Sequence, residues 1–434
     1  MTTLYEADWV LPVDGEPVRE GGVAVADGHI AAVGPAAALE GERVRFEDAA
    51  IVPGFVNAHS HLEYAVYSGF GDGLPFAPWL DVHVSRKRRL LDGDAVAIAR
   101  LGAAACLCSG ITTVADASFS GAGAPACAEL GLRAIVHVEV FGDDPAAARE
   151  RFEALGEAVA DSLSEHVRLG VSPHAPYSAS ADVYEACLEL GVPVCTHLAE
   201  SRAEDDWLLH GAGPMAGSPL VVPPTGETGI RTLARRGLLG PRLLAAHCVH
   251  ADPEEIALLA ADDVAVAHCP RSNALLGCGL APLAEIRAAG VRTGLGTDSP
   301  ASTPDFDAFE EMRTAVYSAR AREERPDALS ARDALELATL GSARALGLDG
   351  ETGSLAAGKR ADLAVVSLAG SPFLPWEDPT AAVVLGGSPD RVLVTLVDGE
   401  VRYERGGFEW HGLRHSASAA RARLLSEAPR APKT

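Results

Sequence analysis

The chain has 434 residues and a hydrophobic fraction of 48%, which suggests a barrel-sized domain with an accessory domain. Its formal net charge of −24 and sequence pI near 4.9 argue against nucleic acid as a partner. No apolar run is as long as a membrane span, and the first residues lack the basic and apolar regions of a signal peptide. We therefore expect a cytoplasmic protein that does not engage a membrane.

Both ends of the chain are predicted to form short strands joined by turns. The segments WVLPVDG, GGVAVADGHIAAVG and RVRFEDAAIVPG alternate apolar and polar residues, with Gly or Asp-Gly at the turns. The same pattern returns late, in GSLAAGKRADLAVVSL and RVLVTLVDGEVRYERGG. Residues 411–434 begin as an Ala/Arg-rich helix and end in a basic, proline-containing tail, to which we assign no function.

Apolar strands alternate with helical stretches through the middle of the chain. Alternation of this kind indicates parallel strands with helical crossovers. Eight such units suit a closed (β/α)8 barrel, although periodicity alone does not exclude a doubly wound open sheet. The eight candidate strands are Ile51–Ala58, Ile111–Asp116, Arg133–Val140, Val167–Ser172, Val192–His197, Leu243–Cys248, Val264–His268 and Val291–Thr297.

The eight cysteines include no CxxC pair, and most lie in apolar runs. This pattern predicts reduced, buried side chains that pack as small hydrophobic residues.

Histidines recur at the ends of these strands. In a barrel all C-terminal strand ends converge on one face, where active sites are built. One His-x-His pair would be ambiguous, but further strand-end histidines and an aspartate favour a metal site. The residues concerned are His59, His61, His174, His197, His247, His268 and Asp298. The remaining histidines are read as ordinary core or surface residues: His29, His83, His137, His166, His210, His250, His411 and His415.

Several motifs, in this order, resemble those of the amidohydrolase superfamily, in its branch acting on purines, pyrimidines and triazines. They are VPGFVNAHSHLE, THLAES, AAHCVH, HCPRSN and LGTDSPAS. The resemblance implies a (β/α)8 TIM barrel over residues 51–349 and a small β-sandwich domain built from residues 1–50 and 350–410. Barrels of this family are often dimers, which allows a homodimer.

The resemblance also implies a mononuclear metal site completed by a water. Its ligands would be His59, His61, His197 and Asp298, a set that suits one divalent ion, Zn²⁺ or Fe²⁺. Binuclear members have a bridging lysine after the fourth strand, where this chain has VSPHAPYS without a lysine. One metal is therefore expected.

Catalytic roles follow from the same resemblance. Glu200, three residues after His197, matches the proton-shuttling glutamate of the deaminases. His247 matches the histidine that hydrogen-bonds the attacking water, and Asp298 would also accept a proton. His174 is expected to contact substrate; His268 is expected either to do so or to be structural.

The expected substrate is nucleoside-like. HSHLE, the FxxWL segment that contains Trp79, and HCPRSN most resemble aminodeoxyfutalosine deaminases, which act on an adenine-containing intermediate of menaquinone biosynthesis. Trp79 is expected to contact the substrate. Deaminases of S-adenosylhomocysteine, methylthioadenosine or adenosine share most of these motifs. Glu63 alternates with His61 and is expected to bind ribose hydroxyls, while Arg271 would meet a carboxylate or form a structural ion pair.

Three alternatives stay open. A guanine deaminase, or a hydrolase of triazines or cyclic amides, would keep similar motifs. A barrel retained only for binding would be expected to have lost a ligand or Glu200, and this chain has lost neither. The Gly/Pro-rich segments 72–78 and 211–229 are expected to line the mouth of the site and to influence specificity.

Overall fold

The computed structural model describes residues 1–371 and 378–426. The predicted basic tail at 427–434 lies outside the described residues, as do residues 372–377 of the predicted small domain. The strands, numbered along the chain, are β1 (Thr3–Val10), β2 (Val18–Ala26), β3 (His29–Pro35), β4 (Glu42–Pro53), β5 (Phe55–Ser60), β6 (Ile111–Ser118), β7 (Arg133–Val140), β8 (Val167–Pro173), β9 (Val194–Leu198), β10 (Leu243–His247), β11 (Ala265–His268), β12 (Arg292–Leu295), β13 (Leu363–Ser367), β14 (Val392–Val397) and β15 (Glu400–Glu404).

The helices are α1 (Phe76–Lys87), α2 (Asp94–Cys108), α3 (Gly123–Leu130), α4 (Pro145–Ala158), α5 (Ala181–Glu189), α6 (Arg202–His210), α7 (Gly229–Arg235), α8 (Pro253–Ala261), α9 (Pro270–Leu275), α10 (Leu283–Ala288), α11 (Ala308–Glu323), α12 (Ala331–Glu336), α13 (Ser342–Ala345), α14 (Pro379–Gly386) and α15 (His411–Leu425). None of the helices in the described parts of the chain is long and apolar enough to cross a membrane.

Strands β5 to β12 form the predicted parallel barrel, with each strand beside the next. The first strand and the segment after β12 are joined by a hydrogen bond of 3.0 Å from Asp298 N to His59 O. Thr297 N also donates to Asn57 Oδ1 over 2.9 Å. These bonds close the sheet, so the open-sheet alternative is wrong. Strand β7 is buried along its whole length, as expected for a β-branched strand covered on both faces.

The first predicted strand, Ile51–Ala58, is in fact two strands. Residues 51–53 end β4 in the small sheet, and β5 of the barrel begins at Phe55. Gly54 turns the chain between them, and a Cβ there would lie 2.2 Å from the side chain of Thr112. Only glycine allows this close approach.

The small domain combines the two chain ends, as the resemblance implied. Its seven strands make one hydrogen-bonded sheet in the order β15-β14-β13-β4-β1-β2-β3, so the predicted sandwich is a single sheet by its pairing. Strand β1 pairs parallel with β4, and the other pairs are antiparallel. Val23, Ile30, Ile51, Leu363 and Leu396 contribute to its core.

All eight cysteines are unpaired, and all but Cys108 are buried, as predicted. The predicted C-terminal helix is α15. It is fixed to α2 by an ion pair between Arg423 and Asp94. It is also fixed to the end of α1, where Arg86 and Arg89 donate to Leu424 O over 3.1 and 3.0 Å.

A buried ion network joins the barrel to the small domain. Arg133 on β7 is 2% exposed, and its Nε donates to Asp362 Oδ2 over 3.2 Å. Its Nη2 donates to Asp398 Oδ1 over 2.9 Å. Asp362 is also buried, so its charge depends on this partner.

We predict that Arg133→Met lowers the free energy of unfolding by about 3–5 kcal/mol, because it leaves a buried carboxylate unpaired. Chemical denaturation followed by circular dichroism measures this. Arg332→Met is the matched control, since Arg332 pairs with Glu16 on the surface with side chains 58% and 82% exposed. It should change the free energy of unfolding by less than about 0.5 kcal/mol. A loss below about 1 kcal/mol in Arg133→Met would contradict the stabilising role of the network.

Candidate metal centre and active site

The side chains expected at the metal lie together at the C-terminal ends of the barrel strands. They come from β5 and the residue after it, β9, β10 and the segment after β12: His59, His61, His197, His247 and Asp298. His61 Nε2 lies 3.2 Å from His197 Nε2 and 3.5 Å from Asp298 Oδ1. His59 Nε2 lies 3.8 Å from the same oxygen. Donor atoms of His59, His197 and His247 lie within 4.8 Å of one another.

Hydrogen bonds fix which ring nitrogen of two histidines faces the cluster. His197 Nδ1 donates to the carbonyl oxygen of His174 over 2.8 Å. His247 Nδ1 donates to Asn273 Oδ1 over 3.0 Å. Burial lowers the pKa of His247. With the proton on Nδ1, each Nε2 carries a lone pair directed toward the shared space.

Asp298 is held in the same way. Its Oδ2 accepts hydrogen bonds from Ser272 Oγ over 2.6 Å and from Ser302 Oγ over 2.8 Å. These bonds leave Oδ1 facing His59 and His61. Burial opposes the charged form, but the nearby imidazoles and the Ser272 bond hold the pKa of Asp298 below its usual value.

The donor set fits a metal ion. The buried Nε2 atoms of His59 and His247 have no hydrogen-bond partner within the described residues. The Nε2 atoms of His61 and His197 face each other at 3.2 Å. Burial, reinforced by the neighbouring imidazoles, lowers the pKa of His59, which keeps that ring neutral and able to coordinate. A cation among these atoms would satisfy them, and three nitrogens with one carboxylate oxygen suit Zn²⁺ or Fe²⁺.

The backbone is strained around this cluster. His247 has a φ of 77°, Asp298 of 55° and Ala199 of 51°. Such left-handed conformations are unfavourable for residues other than glycine and tend to occur at functional sites. Here they lie where the chain leaves a barrel strand to present a polar side chain.

Glu200 lies beside the cluster, between β9 and α6. Its Oε1 lies 3.7 Å from His247 Nε2, and burial raises its pKa to about 8. The carboxylate of Glu204 fixes the turn by accepting hydrogen bonds from Ala199 N over 3.0 Å and Glu200 N over 2.9 Å. Glu200 is therefore a positioned carboxyl group that can hold a proton near neutral pH.

A cavity of about 350 Å³ opens over this group. Glu200, His61, His197 and Asp298 line its floor. Its walls are largely aromatic and include Phe76, Trp79, Phe119, Phe141 and Tyr177. Trp79 and His174, which we expected to contact substrate, both line the cavity. Both Gly/Pro-rich segments also contribute, through Phe76 and Leu220.

Glu63 does not face this cavity. Residues Leu62–Tyr64 form one turn of 3₁₀-helix, so the alternation of an extended strand stops before Glu63. Its carboxylate accepts hydrogen bonds from Ser118 Oγ and, over 3.0 Å, from Ser120 N. Tyr64 lines the cavity instead.

Arg271 and His268 also lie outside the cavity wall. Arg271 is 3% exposed and binds Asp305 Oδ1 over 2.8 Å, with Glu311 Oε2 3.6 Å away. This is the structural ion pair that the sequence left as an alternative. His268 is buried on β11, and burial lowers its pKa to about 3.

Four cavity residues with charged or imidazole side chains were missed: His83, Lys87 and Arg88 on or just after α1, and Glu139 on β7. His83 was read as an ordinary histidine, yet its buried Nε2 has no partner within the described residues. Helical spacing from Trp79 would have placed His83 and Lys87 on the same face. Glu139 stands near the end of a strand that is otherwise mostly apolar, which marks it as a strand-end polar residue.

Residues 50–402 match the model of the amidohydrolase family. A 5-methylthioadenosine/S-adenosylhomocysteine deaminase of Moorella thermoacetica is 34% identical over 413 residues, which cover 92% of this chain and 93% of the relative. A 5'-deoxyadenosine deaminase of Methanothermobacter thermautotrophicus is 33% identical over 410 residues and 92% of each chain. The crystal structure of a zinc-bound adenosine deaminase from Xanthomonas campestris is 29% identical, with a TM-score of 0.85 over 97% of this chain and 98% of that one.

The match to the family model and the similarity to full-length relatives agree with the strand-end cluster described above. This chain belongs to the amidohydrolase family and is a hydrolase that acts on carbon–nitrogen bonds.

Proposed function

We propose that this protein removes the amino group from the adenine ring of a nucleoside-like small molecule by hydrolysis and releases ammonia. The observation that carries the proposal is the buried Glu200 carboxyl group, on the floor of an aromatic cavity and 3.7 Å from His247. Deamination requires a group that takes a proton and returns it, and Glu200 is placed for that task. The relatives named as deaminases of adenosine-type compounds support this reaction.

His59, His61, His197 and Asp298 would hold one divalent ion, Zn²⁺ or Fe²⁺. Such an ion, when bound, supplies a nucleophile at neutral pH by lowering the pKa of water from 15.7 toward about 7.

The protein's own groups would handle the protons. Glu200 takes one from the attacking water and gives one to the ring nitrogen beside the reacting carbon. The remaining proton of that water is then transferred to the amino group, ammonia leaves as the carbon–nitrogen bond breaks, and the water oxygen stays on the ring as a carbonyl. His247, with Nε2 toward Glu200, can hydrogen-bond the water and stabilise developing charge. The buried floor keeps these groups away from bulk solvent.

The cavity walls suit a flat heterocycle. Trp79, Phe76 and Tyr177 offer aromatic surface for a purine, and His174 offers a ring nitrogen beside them. Trp79 and Phe76 belong to the FxxWL segment on which the resemblance to aminodeoxyfutalosine deaminases rests. This supports 6-aminodeoxyfutalosine, and thus menaquinone biosynthesis, as the favoured assignment. S-adenosylhomocysteine, methylthioadenosine, adenosine and guanine are the alternative substrates.

We expect one divalent ion for each chain, because the four ligands surround a single space. Metal analysis should find about one equivalent, and a chelator should abolish ammonia release until Zn²⁺ or Fe²⁺ is added. His61→Asn should lose the metal, whereas His250→Asn, outside the cluster, should retain it. Full metal content in His61→Asn would contradict this ligand assignment.

Glu200→Gln should reduce turnover by a factor of about 10²–10⁴, because the amide cannot shuttle a proton. Its metal content should not change, since Glu200 is not among the ligands. Glu254→Gln makes the same chemical change at a side chain 79% exposed and should leave the rate unaltered. A near wild-type rate in Glu200→Gln would eliminate this carboxyl group as the proton shuttle.

The reaction class is tested by ammonia assays on 6-aminodeoxyfutalosine, S-adenosylhomocysteine, methylthioadenosine, 5'-deoxyadenosine, adenosine and guanine. We expect release from at least one adenosine derivative, with 6-aminodeoxyfutalosine giving the highest kcat/KM. Turnover of a halogenated triazine or a cyclic imide, with no ammonia from any purine, would replace the proposal by the corresponding hydrolase activity.

A further inference from the structure

The two ends of the cavity differ in chemistry. Three carboxyl groups lie at its floor or lower wall, those of Glu139, Glu200 and Asp298, and all three are buried. Its only lysine and arginine side chains, within the described residues, are those of Lys87 and Arg88. Arg88 is exposed, which places its charge at the open side, whereas Lys87 is half-buried and reaches Tyr64 on the cavity wall.

Lys87 is held in a defined position. Its Nζ donates to Tyr64 Oη over 2.9 Å and lies 4.5 Å from the centroid of that ring. The same Nζ lies 4.0 Å from the ring centroid of Phe119. The Lys87 ammonium is thus packed between two aromatic rings, whose faces attract a cation. An ammonium has three donor hydrogens, so the Tyr64 bond leaves two for another acceptor.

Neither cation has an acidic partner. Within the described residues, no carboxylate oxygen lies within 4.0 Å of the charged nitrogens of Lys87 or Arg88. The four basic side chains of the run RKRR at 86–89 point in two directions. Arg86 and Arg89 donate to a carbonyl oxygen at the C-terminal end of α15. Lys87 and Arg88 line the cavity.

We propose that Lys87 and Arg88 form a subsite for a carboxylate at the 5' end of the substrate. This inference rests on the proposed function, because deamination requires the amino-bearing carbon of the purine to lie at Glu200. The ribose and its 5' substituent then extend toward the mouth. Phe119, which is 39% exposed and lies beside Lys87, would pack against the part of the substituent that precedes the carboxylate.

Local charge is needed for such recognition. The chain carries a net charge of −24, which repels an anionic substrate, and unpaired cations at the mouth offset that repulsion. A charge-assisted bond from an ammonium or guanidinium is stronger than a neutral one. Substrates with a 5' carboxylate are therefore favoured over neutral compounds such as methylthioadenosine and 5'-deoxyadenosine.

The test compares 6-aminodeoxyfutalosine with its carboxamide analogue, which has similar shape and no charge. The wild-type enzyme should prefer the carboxylate in kcat/KM by about 10–100-fold, and added salt should reduce this preference. Lys87→Met should lower kcat/KM for the carboxylate by about 10–100-fold, mainly through KM, and change that for the carboxamide by less than about 3-fold. Arg88→Met should act in the same direction.

Two further variants serve as controls. Lys87→Arg keeps the charge and should retain most of the preference. Arg100→Met removes a positive charge on α2, away from the cavity, and should leave both substrates unaffected. Turnover of the carboxamide and metal content report on folding in every variant.

The outcomes separate the two proposals. Equal losses for carboxylate and carboxamide in Lys87→Met would show that Lys87 only supports Tyr64 and Phe119, and would overturn the subsite while leaving deamination intact. Equal kcat/KM for the two compounds in the wild-type enzyme would also overturn the carboxylate subsite and leave deamination intact. Absence of ammonia from every adenosine derivative would overturn the proposed function itself, and the subsite with it.

Discussion

The backbone hydrogen bond from Asp298 N to His59 O, 3.0 Å long, is the contact on which the rest of the site depends. It joins the first strand of the barrel to the segment that follows the last one. The same two residues are candidate metal ligands, so closing the sheet also brings a carboxylate to the histidines. Asn57 and Thr297 reinforce the closure with two hydrogen bonds just below. Fold and metal site therefore share one constraint.

This arrangement is unfavourable for the folding free energy when taken by itself. Closure brings imidazole nitrogens close to one another in a buried space, and His247 and Asp298 there have left-handed backbone conformations. Contacts around the cluster offset this cost. A serine hydroxyl donates a hydrogen bond to Asp298, the side-chain amide of Asn273 accepts one from His247, and the barrel strands pack beneath them. A metal ion would relieve the remaining unpaired nitrogens, which links ion binding to the stability of this end of the barrel.

The sequence could predict that the candidate ligands meet, because their convergence is a property of topology. The C-terminal ends of all parallel barrel strands lie at the same face of the barrel, whatever their separation along the chain. The same reasoning failed for Glu63, because the extended backbone gives way to a 3₁₀ turn directly after the ligand pair. It also could not decide the role of Arg271, whose acidic partners follow more than 30 residues later. Side chains on loops depend on partners that strand periodicity does not encode.

The candidate metal site and the cavity wall are built from different parts of the chain. The metal cluster and His247 rest on barrel strands and the segments that directly follow them, whereas much of the cavity wall comes from α1. Helix α1 is fixed on two sides: Trp79 Nε1 donates to Ala301 O over 3.1 Å, and Arg86 and Arg89 at its end donate to the last carbonyls of α15. The residues of α1 that line the cavity are not themselves candidate metal ligands, so a change there can alter what the cavity accepts while the candidate ligands stay the same. Helix α15 in turn fixes the C-terminal end of the helix that carries Trp79, His83 and Lys87, so it supports part of the cavity wall although it does not line the cavity itself.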